Sequence, residues 1–236
     1  MKEGLLEKIK SRGYWRINFQ PLKIDIKFDL LKECKDIVLK NAVNLRGWDY
    51  PHVPLRNDEN GAILKKNNFV EGFEDFGNHK EFWRMYQSGQ FLYYRGLRED
   101  WFDEDPWKIR YVKEIKPGKY LGIFMSVIFE ITEAYLFLSR LTQSGLYSKG
   151  VLLNVSLRNT EKRELWTEYK GMPFVEPRFT GAKDLNFSVQ YTKDEVISNP
   201  KELAAKLIEQ IFDRFGWNPD PGLIKQSQEE LLSGKI

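Results

Sequence analysis

The stretch LRGWDYPH concentrates side chains that bind or act on ligands, namely Arg46, Trp48, Asp49, Tyr50 and His52. An arginine can hold a phosphate or a carboxylate, and the two aromatic rings could stack on a nucleobase. The imidazole could serve as a general base if the carboxylate orients it. The alternative is purely structural: Arg46 pairs with Asp49, Trp48 fills the core, and the histidine only follows a turn.

A second arginine–glycine pair lies in the stretch YYRGLREDW, which ends at Trp101. If the two stretches meet in the fold, Arg46, Arg95 and Arg98 form a small cationic site framed by aromatic rings. Such a site suits a phosphate-bearing ligand or the backbone of a nucleic acid. The alternative is that the two acids after Arg98 neutralise the arginines, since exposed arginine–carboxylate pairs are common and contribute little.

Metal and catalytic signatures are scarce in this chain. Its two histidines and one cysteine exclude a three-histidine metal site, a cysteine-rich zinc site and an internal disulfide. The acidic stretch at residues 99–107 lacks the pattern of an EF-hand, and the common phosphate-loop, dinucleotide, hydrolase and zinc-protease motifs do not occur. Cys34 falls on the buried stripe of a predicted helix, where a nucleophile would be inaccessible. We therefore expect neither a metal nor a cofactor, and we favour a protein that is not an enzyme.

The composition is that of a globular protein with many aromatic residues. The chain has 236 residues, of which 14% are aromatic, and this indicates a bulky core. Its net charge of +3 is too small to indicate nucleic-acid binding, although a local basic patch is compatible with it. The sequence shows no signal peptide and no uncharged apolar stretch that spans a bilayer, so we expect a cytoplasmic protein outside membranes.

Hydrophobic patterns predict the elements that must position these side chains. Strands are expected at residues 14–20, 43–48, 69–76, 81–86, 90–96, 151–157, 165–169 and 185–191. Loops are expected at residues 55–68 and 99–107. Helices are expected from a cap at Asp29 to about Asn41, at about 119–144, and from a capping box of Asn199 and Glu202 to Gly216.

The longest predicted helix should form the spine of the core. A stripe of large apolar residues recurs along it at helical spacing and should be buried: Phe124, Ile128, Ile131, Tyr135 and Leu138. Two acids, Glu130 and Glu133, interrupt the apolar pattern. Because a buried carboxylate is costly unless it is paired, we expect one of them to meet a core arginine.

A run of consecutive strands with few helices predicts an α+β fold. We expect an antiparallel or mixed sheet, with a long central helix and a C-terminal helix packed on it. No linker rich in proline, serine or glycine divides the chain, so we expect a single domain over residues 1–217. Residues 218–236 are expected to form a polar C-terminal tail.

Five short motifs stand out together: Gly13-Tyr14-Trp15-Arg16-Ile17, residues 45–52, Ser88-Gly89-Gln90-Phe91, Tyr94-Arg95-Gly96-Leu97 and Phe215-Gly216-Trp217. They resemble an uncharacterised bacterial domain that is usually found C-terminal to an AlbA_2 (Schlafen-type) DNA-binding domain. The AlbA_2 part itself is absent here, so its DNA-binding role is not transferred. The resemblance implies a bacterial accessory or sensor module that works with a separately encoded partner, in an antiviral defence or stress system.

Hypotheses of different classes follow from these observations. The first is a non-catalytic accessory or sensor module that binds a macromolecular partner, above all a protein, through its aromatic and arginine-bearing strand ends. The alternative is a phosphate-ligand or nucleic-acid-binding or -processing enzyme that uses Arg46, Asp49, His52 and Arg95. Plain nucleic-acid binding by a basic face is left open, and so is the oligomeric state.

The candidate binding residues are Arg46, Trp48, Asp49, Tyr50, His52, Arg95, Arg98 and Trp101. Interface hot spots are enriched in tryptophan and tyrosine. We therefore expect at least one exposed anchor among the four aromatic residues in or beside predicted loops, which are Trp48, Tyr50, Trp101 and Trp107.

Overall fold

A computed structural model describes residues 2–23, 28–54, 57–105, 115–168, 174 and 176–235. Its strands are β1 (Tyr14–Pro21), β2 (Val43–Asn44), β3 (Asp49–Tyr50), β4 (Gly61–Lys65), β5 (Phe69–Phe76), β6 (His79–Tyr86), β7 (Phe91–Gly96), β8 (Tyr120–Gly122), β9 (Val151–Arg158), β10 (Glu164–Trp166) and β11 (Asp184–Tyr191). Its α-helices are α1 (Leu5–Lys10), α2 (Leu31–Asn41), α3 (Glu130–Gln143), α4 (Lys193–Ser198), α5 (Pro200–Asp213) and α6 (Pro221–Leu232). A 3₁₀ segment spans Arg98–Glu104, and a π-helical segment spans Ile123–Phe129. The α+β class expected from the sequence is confirmed.

The main sheet has seven strands in the order β11–β9–β1–β7–β6–β5–β4, and every neighbouring pair is antiparallel. The alternation of β1 places Trp15, Ile17 and Phe19 on one face, where all three are buried. Two short pairs lie outside this sheet: β8 pairs with β10 in parallel, and β2 pairs with β3 antiparallel.

The core lies between this face of the sheet and the helices, with α3 at its centre. Phe137 of α3 packs against Phe19 and Phe91, with ring centroids 6.3 and 5.0 Å apart. The predicted stripe is buried throughout, at Phe124, Ile128, Ile131, Tyr135 and Leu138, so the expected spine is confirmed. On the other face of the sheet, α1 packs against Phe73, Phe82 and Tyr94 in a second cluster.

The long helix begins at Ile123 rather than near 119, and its first part is π-helical. Two carboxylates accept its first backbone N–H groups, which would otherwise have no partner at a helix start. Glu99 accepts from Gly122 at 2.8 Å, and Glu168 accepts from Phe124 and Met125 at 3.1 and 2.9 Å. The strand β8 replaces the predicted helix over Tyr120–Gly122.

Several local predictions are wrong. Residues 43–48 form no continuous strand, because Gly47 at a φ of 70° turns the chain between β2 and β3. The predicted loop at 55–68 contains β4, and the acidic loop at 99–107 forms the 3₁₀ segment in its described part. Strand β10 ends at Trp166, short of the predicted 169.

The helix starts also differ from the predicted caps. Helix α2 begins one residue later than a cap at Asp29 implies, and the Glu33 carboxylate accepts the N–H of Leu30 at 2.9 Å. Asn199 and Pro200 do open α5, but the Asn199 side chain makes no capping hydrogen bond, so the predicted capping box is not formed.

The expected polar tail contains helix α6. Its residues Ile224 and Leu231 are fully buried and belong to the main core, although most of the helix is polar. None of the helices in the described part of the chain is both long and apolar enough to cross a membrane.

Candidate anion-binding site

The turn between β2 and β3, the end of β7 and the π-helical segment enclose a cavity of about 240 Å³. Its charged and ring-bearing lining residues are Trp15, Arg46, Trp48, His79, Arg95, Arg98 and Glu130, and we call it the three-arginine cavity. The two arginine–glycine stretches therefore meet in space. Of the eight candidate binding residues, four line the cavity; Asp49, Tyr50, His52 and Trp101 do not.

Arg46 reaches across the cavity to helix α3. Its Nε donates to Oε1 of Glu133 at 3.0 Å, its Nη2 donates to Oε2 of the same carboxylate, and Glu130 lies 3.6 Å from Nη2. The expectation that an acid of this helix meets a core arginine is confirmed. The alternative pairing of Arg46 with Asp49 is wrong, since Asp49 accepts a hydrogen bond from Asn44. Burial raises the pKa of Glu133, and the adjacent Arg46 opposes that shift.

Arg95 is shared between a carboxylate and a histidine. The β6–β7 register sets Glu81 opposite Arg95, and Nη1 of Arg95 donates to that carboxylate. Its Nη2 lies 2.7 Å from Nδ1 of His79. Because a guanidinium only donates, Nδ1 is the acceptor, and the proton of the neutral ring sits on Nε2. Burial, together with the positive charge of Arg95, lowers the pKa of His79 to about 2, so the ring is uncharged at neutral pH.

Arg98 differs from the other two arginines, because it has no carboxylate partner among the residues that the structure describes. Its Nε is buried without a hydrogen-bond partner, and its guanidinium lies 5.7 Å from the ring of Phe102. Burial lowers its pKa, and so do Arg95 and Arg46, whereas Glu99 and Asp105 act in the opposite direction without forming an ion pair with it. The cavity therefore carries a cation that no carboxylate of the described residues contacts directly.

The two acids that follow Arg98 were the residues expected to neutralise it, but both form their hydrogen bonds and ion pairs with other residues. Glu99 accepts from Oγ of Ser126 at 2.6 Å and caps the π-helical segment. Asp100 forms a buried ion pair with Arg163. Both carboxylates are buried because the 3₁₀ segment turns them towards the core. Neither acid therefore forms a direct ion pair with Arg98, although the charge of Glu99 still favours the ionised form of this arginine.

Both histidines of the chain stack on Trp48. The ring centroids of His52 and His79 each lie 3.9 Å from that of the indole, with interplanar angles of 18° and 19°. The indole Nε1–H is buried and has no acceptor among the described residues. Trp48 therefore adds a second unpaired donor to the cavity lining.

The general-base hypothesis for His52 finds no support in the geometry. No hydrogen bond joins it to Asp49 within the described part of the chain. Its backbone N–H donates to Glu81 at 2.5 Å, and its Nε2 lies 3.5 Å from Oε2 of Glu74. Burial lowers the pKa of His52 to about 4, which makes the ring a weak base at neutral pH.

Tyr50 and Trp101 are not exposed anchors. Tyr50 is 2% exposed, and its ring lies 4.7 Å from that of Tyr93 in the core. Trp101 is 1% exposed. Trp107 lies outside the described residues, and Trp48 is partly exposed where it lines the cavity. Tyr50 and Trp101 are therefore excluded as exposed anchors, and the prediction of at least one anchor among the four now rests on Trp48 and Trp107.

Sequence reasoning missed His79 and Glu81. A usable signal for Glu81 is the alternation of β6, in which it shares a face with Trp83 and Met85. An acid on a core-facing position needs a cation, and that requirement points to an arginine on a neighbouring strand.

No group of side chains in the described ranges is arranged to hold a metal ion. Comparison of the chain with models of protein families, with curated proteins and with solved structures found no match. The function must therefore be argued from the cavity itself.

Proposed function

We propose that this chain is a non-catalytic sensor or accessory module whose ligand is a small anion, a phosphate or similar oxyanion group, held in the three-arginine cavity. The observation that carries the proposal is Arg98, a largely buried guanidinium beside two other arginines that forms no ion pair with a carboxylate of the described residues. Burying an unpaired charge costs free energy. A bound anion would remove that cost.

The donors around the cavity suit an oxyanion. A guanidinium can donate two parallel hydrogen bonds to a phosphate or carboxylate, and such charge-assisted bonds are stronger than neutral ones. The indole Nε1–H of Trp48 and the neutral Nε2–H of His79 add donors without adding charge. The cavity of about 240 Å³ is smaller than the roughly 300–1,000 Å³ of typical drug-sized ligand sites. It therefore suits a small anion or the terminal group of a larger ligand.

The enzyme hypothesis is less well supported, because only two of the four residues that it requires, Arg46 and Arg95, line the cavity. Asp49 and His52 lie outside the lining. The sensor role is the one implied by the resemblance to the domain found behind AlbA_2, and the anion is proposed as its signal. The phosphate or oxyanion group could also belong to a macromolecular partner, and the experiment below tests this source as well.

Replacing Arg98 by glutamine is expected to weaken anion binding at least tenfold, since a hydrogen bond to a charged group contributes roughly 1.5–3 kcal/mol. Binding of inorganic phosphate, sulfate and a nucleoside monophosphate would be measured by titration calorimetry at constant ionic strength. Titration with a single-stranded oligonucleotide tests whether the bound phosphate group belongs to a nucleic acid.

The matched control is Arg158→Gln, which removes an equal charge at a site away from the cavity, where Arg158 pairs with Asp184 at 3.1 Å. This control should bind as the wild type does. Equal weakening in both variants, or no binding of any probe by the wild type, would contradict the proposal.

Without ligand, Arg98→Met is expected to raise the free energy of unfolding by about 1 kcal/mol. The substitution keeps an unbranched, apolar stem and removes a cation that burial and two neighbouring arginines disfavour. Urea unfolding in chloride buffer measures the change. A loss of stability of the same size would show that Arg98 stabilises the fold, and this would contradict its role as a ligand-binding residue.

A further inference from the structure

We propose that anion binding in the three-arginine cavity is coupled to the uptake of one proton by Glu81, so that the affinity for the anion rises as the pH falls through the neutral range. This inference rests on the proposed function and adds its regulation. It starts from the position of Arg95, which lines the cavity and also contacts Glu81.

Glu81 is the carboxylate that compensates Arg95. The second partner of Arg95 is Nδ1 of His79, which is neutral and supplies no charge. When Glu81 gains a proton, Arg95 loses its ion pair and keeps only the longer-range attraction of Glu130. Arg95 then acts with Arg98 as a second cation that no ionised carboxylate contacts directly.

Arg46 cannot be released in the same way. Glu133 holds it through both oxygens, and Glu130 lies 3.6 Å away as a second carboxylate. Protonation of one of these acids leaves the other in place. Among the three arginines, Arg95 is therefore the one that forms an ion pair with a single carboxylate.

An anion in the cavity would favour the protonated form of Glu81. Glu81 is 1% exposed, and a further negative charge nearby disfavours its ionised form. The groups that face Glu81 are Arg95 and Tyr93 from β7, Glu74 from β5, Tyr50 and the N–H of His52, Glu130 from α3, and His79 of its own strand. Arg95 and the His52 N–H stabilise the carboxylate, whereas Glu74 and Glu130 disfavour it.

Glu81 can gain a proton near neutral pH. Burial raises the pKa of Glu81 to about 7, although Arg95 opposes the shift. Burial also raises the pKa of Glu74 to about 7. Glu74 faces Nε2 of His52 at 3.5 Å and holds no arginine of the cavity, so it is a matched control.

Titration calorimetry with sulfate tests the coupling in the full chain. Sulfate stays doubly charged between pH 6 and 8, whereas a phosphate titrates in that range. Measurements in buffers of different ionisation enthalpy give the number of protons taken up. We expect uptake of up to one proton per sulfate, and an affinity about tenfold higher at pH 6 than at pH 8.

Two variants test whether Glu81 is the group that takes up the proton when sulfate binds. Glu81→Gln keeps an oxygen that accepts from Arg95 but cannot titrate, so its sulfate affinity should be independent of pH. Glu74→Gln should keep a pH dependence, shifted to lower pH because it removes a carboxylate that disfavours the ionised form of Glu81. Loss of the dependence in that variant would overturn the assignment to Glu81. If Glu81→Gln does not fold, proton uptake by the wild type still decides the coupling. Sulfate binding without proton uptake overturns the coupling alone, whereas no sulfate binding at any pH overturns the proposed function as well.

Discussion

Asp100→Ala is expected to lower the free energy of unfolding by about 3–5 kcal/mol, as breaking a buried ion pair does when one charge is left behind. The Asp100 carboxylate accepts the backbone N–H of Gly13 and that of Gly118, each at 2.7 Å. It also accepts from both terminal nitrogens of Arg163, at 2.8 and 2.5 Å. Alanine leaves that guanidinium, which is 1% exposed, without a counter-ion.

Urea unfolding followed by circular dichroism measures this loss. Asp103→Ala is the matched control, because Asp103 lies in the same 3₁₀ segment and pairs with Arg12 at 2.7 Å, but its side chain is 48% exposed. An exposed pair contributes at most about 1 kcal/mol. If both variants lose the same small amount, the buried network does not stabilise the fold as the hydrogen bonds indicate.

Ile128→Ala is expected to cost about 2–5 kcal/mol, the usual loss when a buried aliphatic side chain is truncated. Ile128 is 0% exposed and lies in the π-helical segment, within the main core. The surrounding side chains can close only part of the space that the substitution leaves.

Thermal and urea unfolding would test this expectation against Leu39→Ala, since Leu39 of α2 is 39% exposed. A surface truncation of that kind changes stability by about 0.5 kcal/mol or less. A similarly small loss for Ile128→Ala would mean that the stripe does not form the spine of the core.

The strands of the main sheet were predictable wherever apolar residues alternate over many positions. Strand β1 is such a case, since Trp15, Ile17 and Phe19 of one face are all buried. Strand β4 was missed because it is an edge strand in which only Gly61 and Ala62 are buried. Helix α6 was missed because its two fully buried apolar residues, Ile224 and Leu231, are seven positions apart, too sparse a pattern to detect.

The candidate site was predictable in its cations and only partly in their partners, since the sequence predicted a core arginine for Glu130 or Glu133 but not which one. The similar arginine–glycine stretches indicated a shared site, and the structure places Arg46, Arg95 and Arg98 in one cavity. Their counter-ions depend on tertiary structure: Glu133 lies 87 positions from Arg46, and Glu81 meets Arg95 through strand register. Neighbouring acids in the sequence were the wrong choice, because local backbone geometry turned them inward.

The stack on Trp48 has a practical consequence for spectroscopy. The chain has two histidines, and both rings lie face to face with this one indole at the edge of the cavity. If only histidine is isotope-labelled, the imidazole signals of an NMR spectrum therefore all come from this neighbourhood, shifted by the ring current of the tryptophan. A ligand that moves the indole would displace both sets of resonances together, and occupancy could be followed without assigning the other 234 residues.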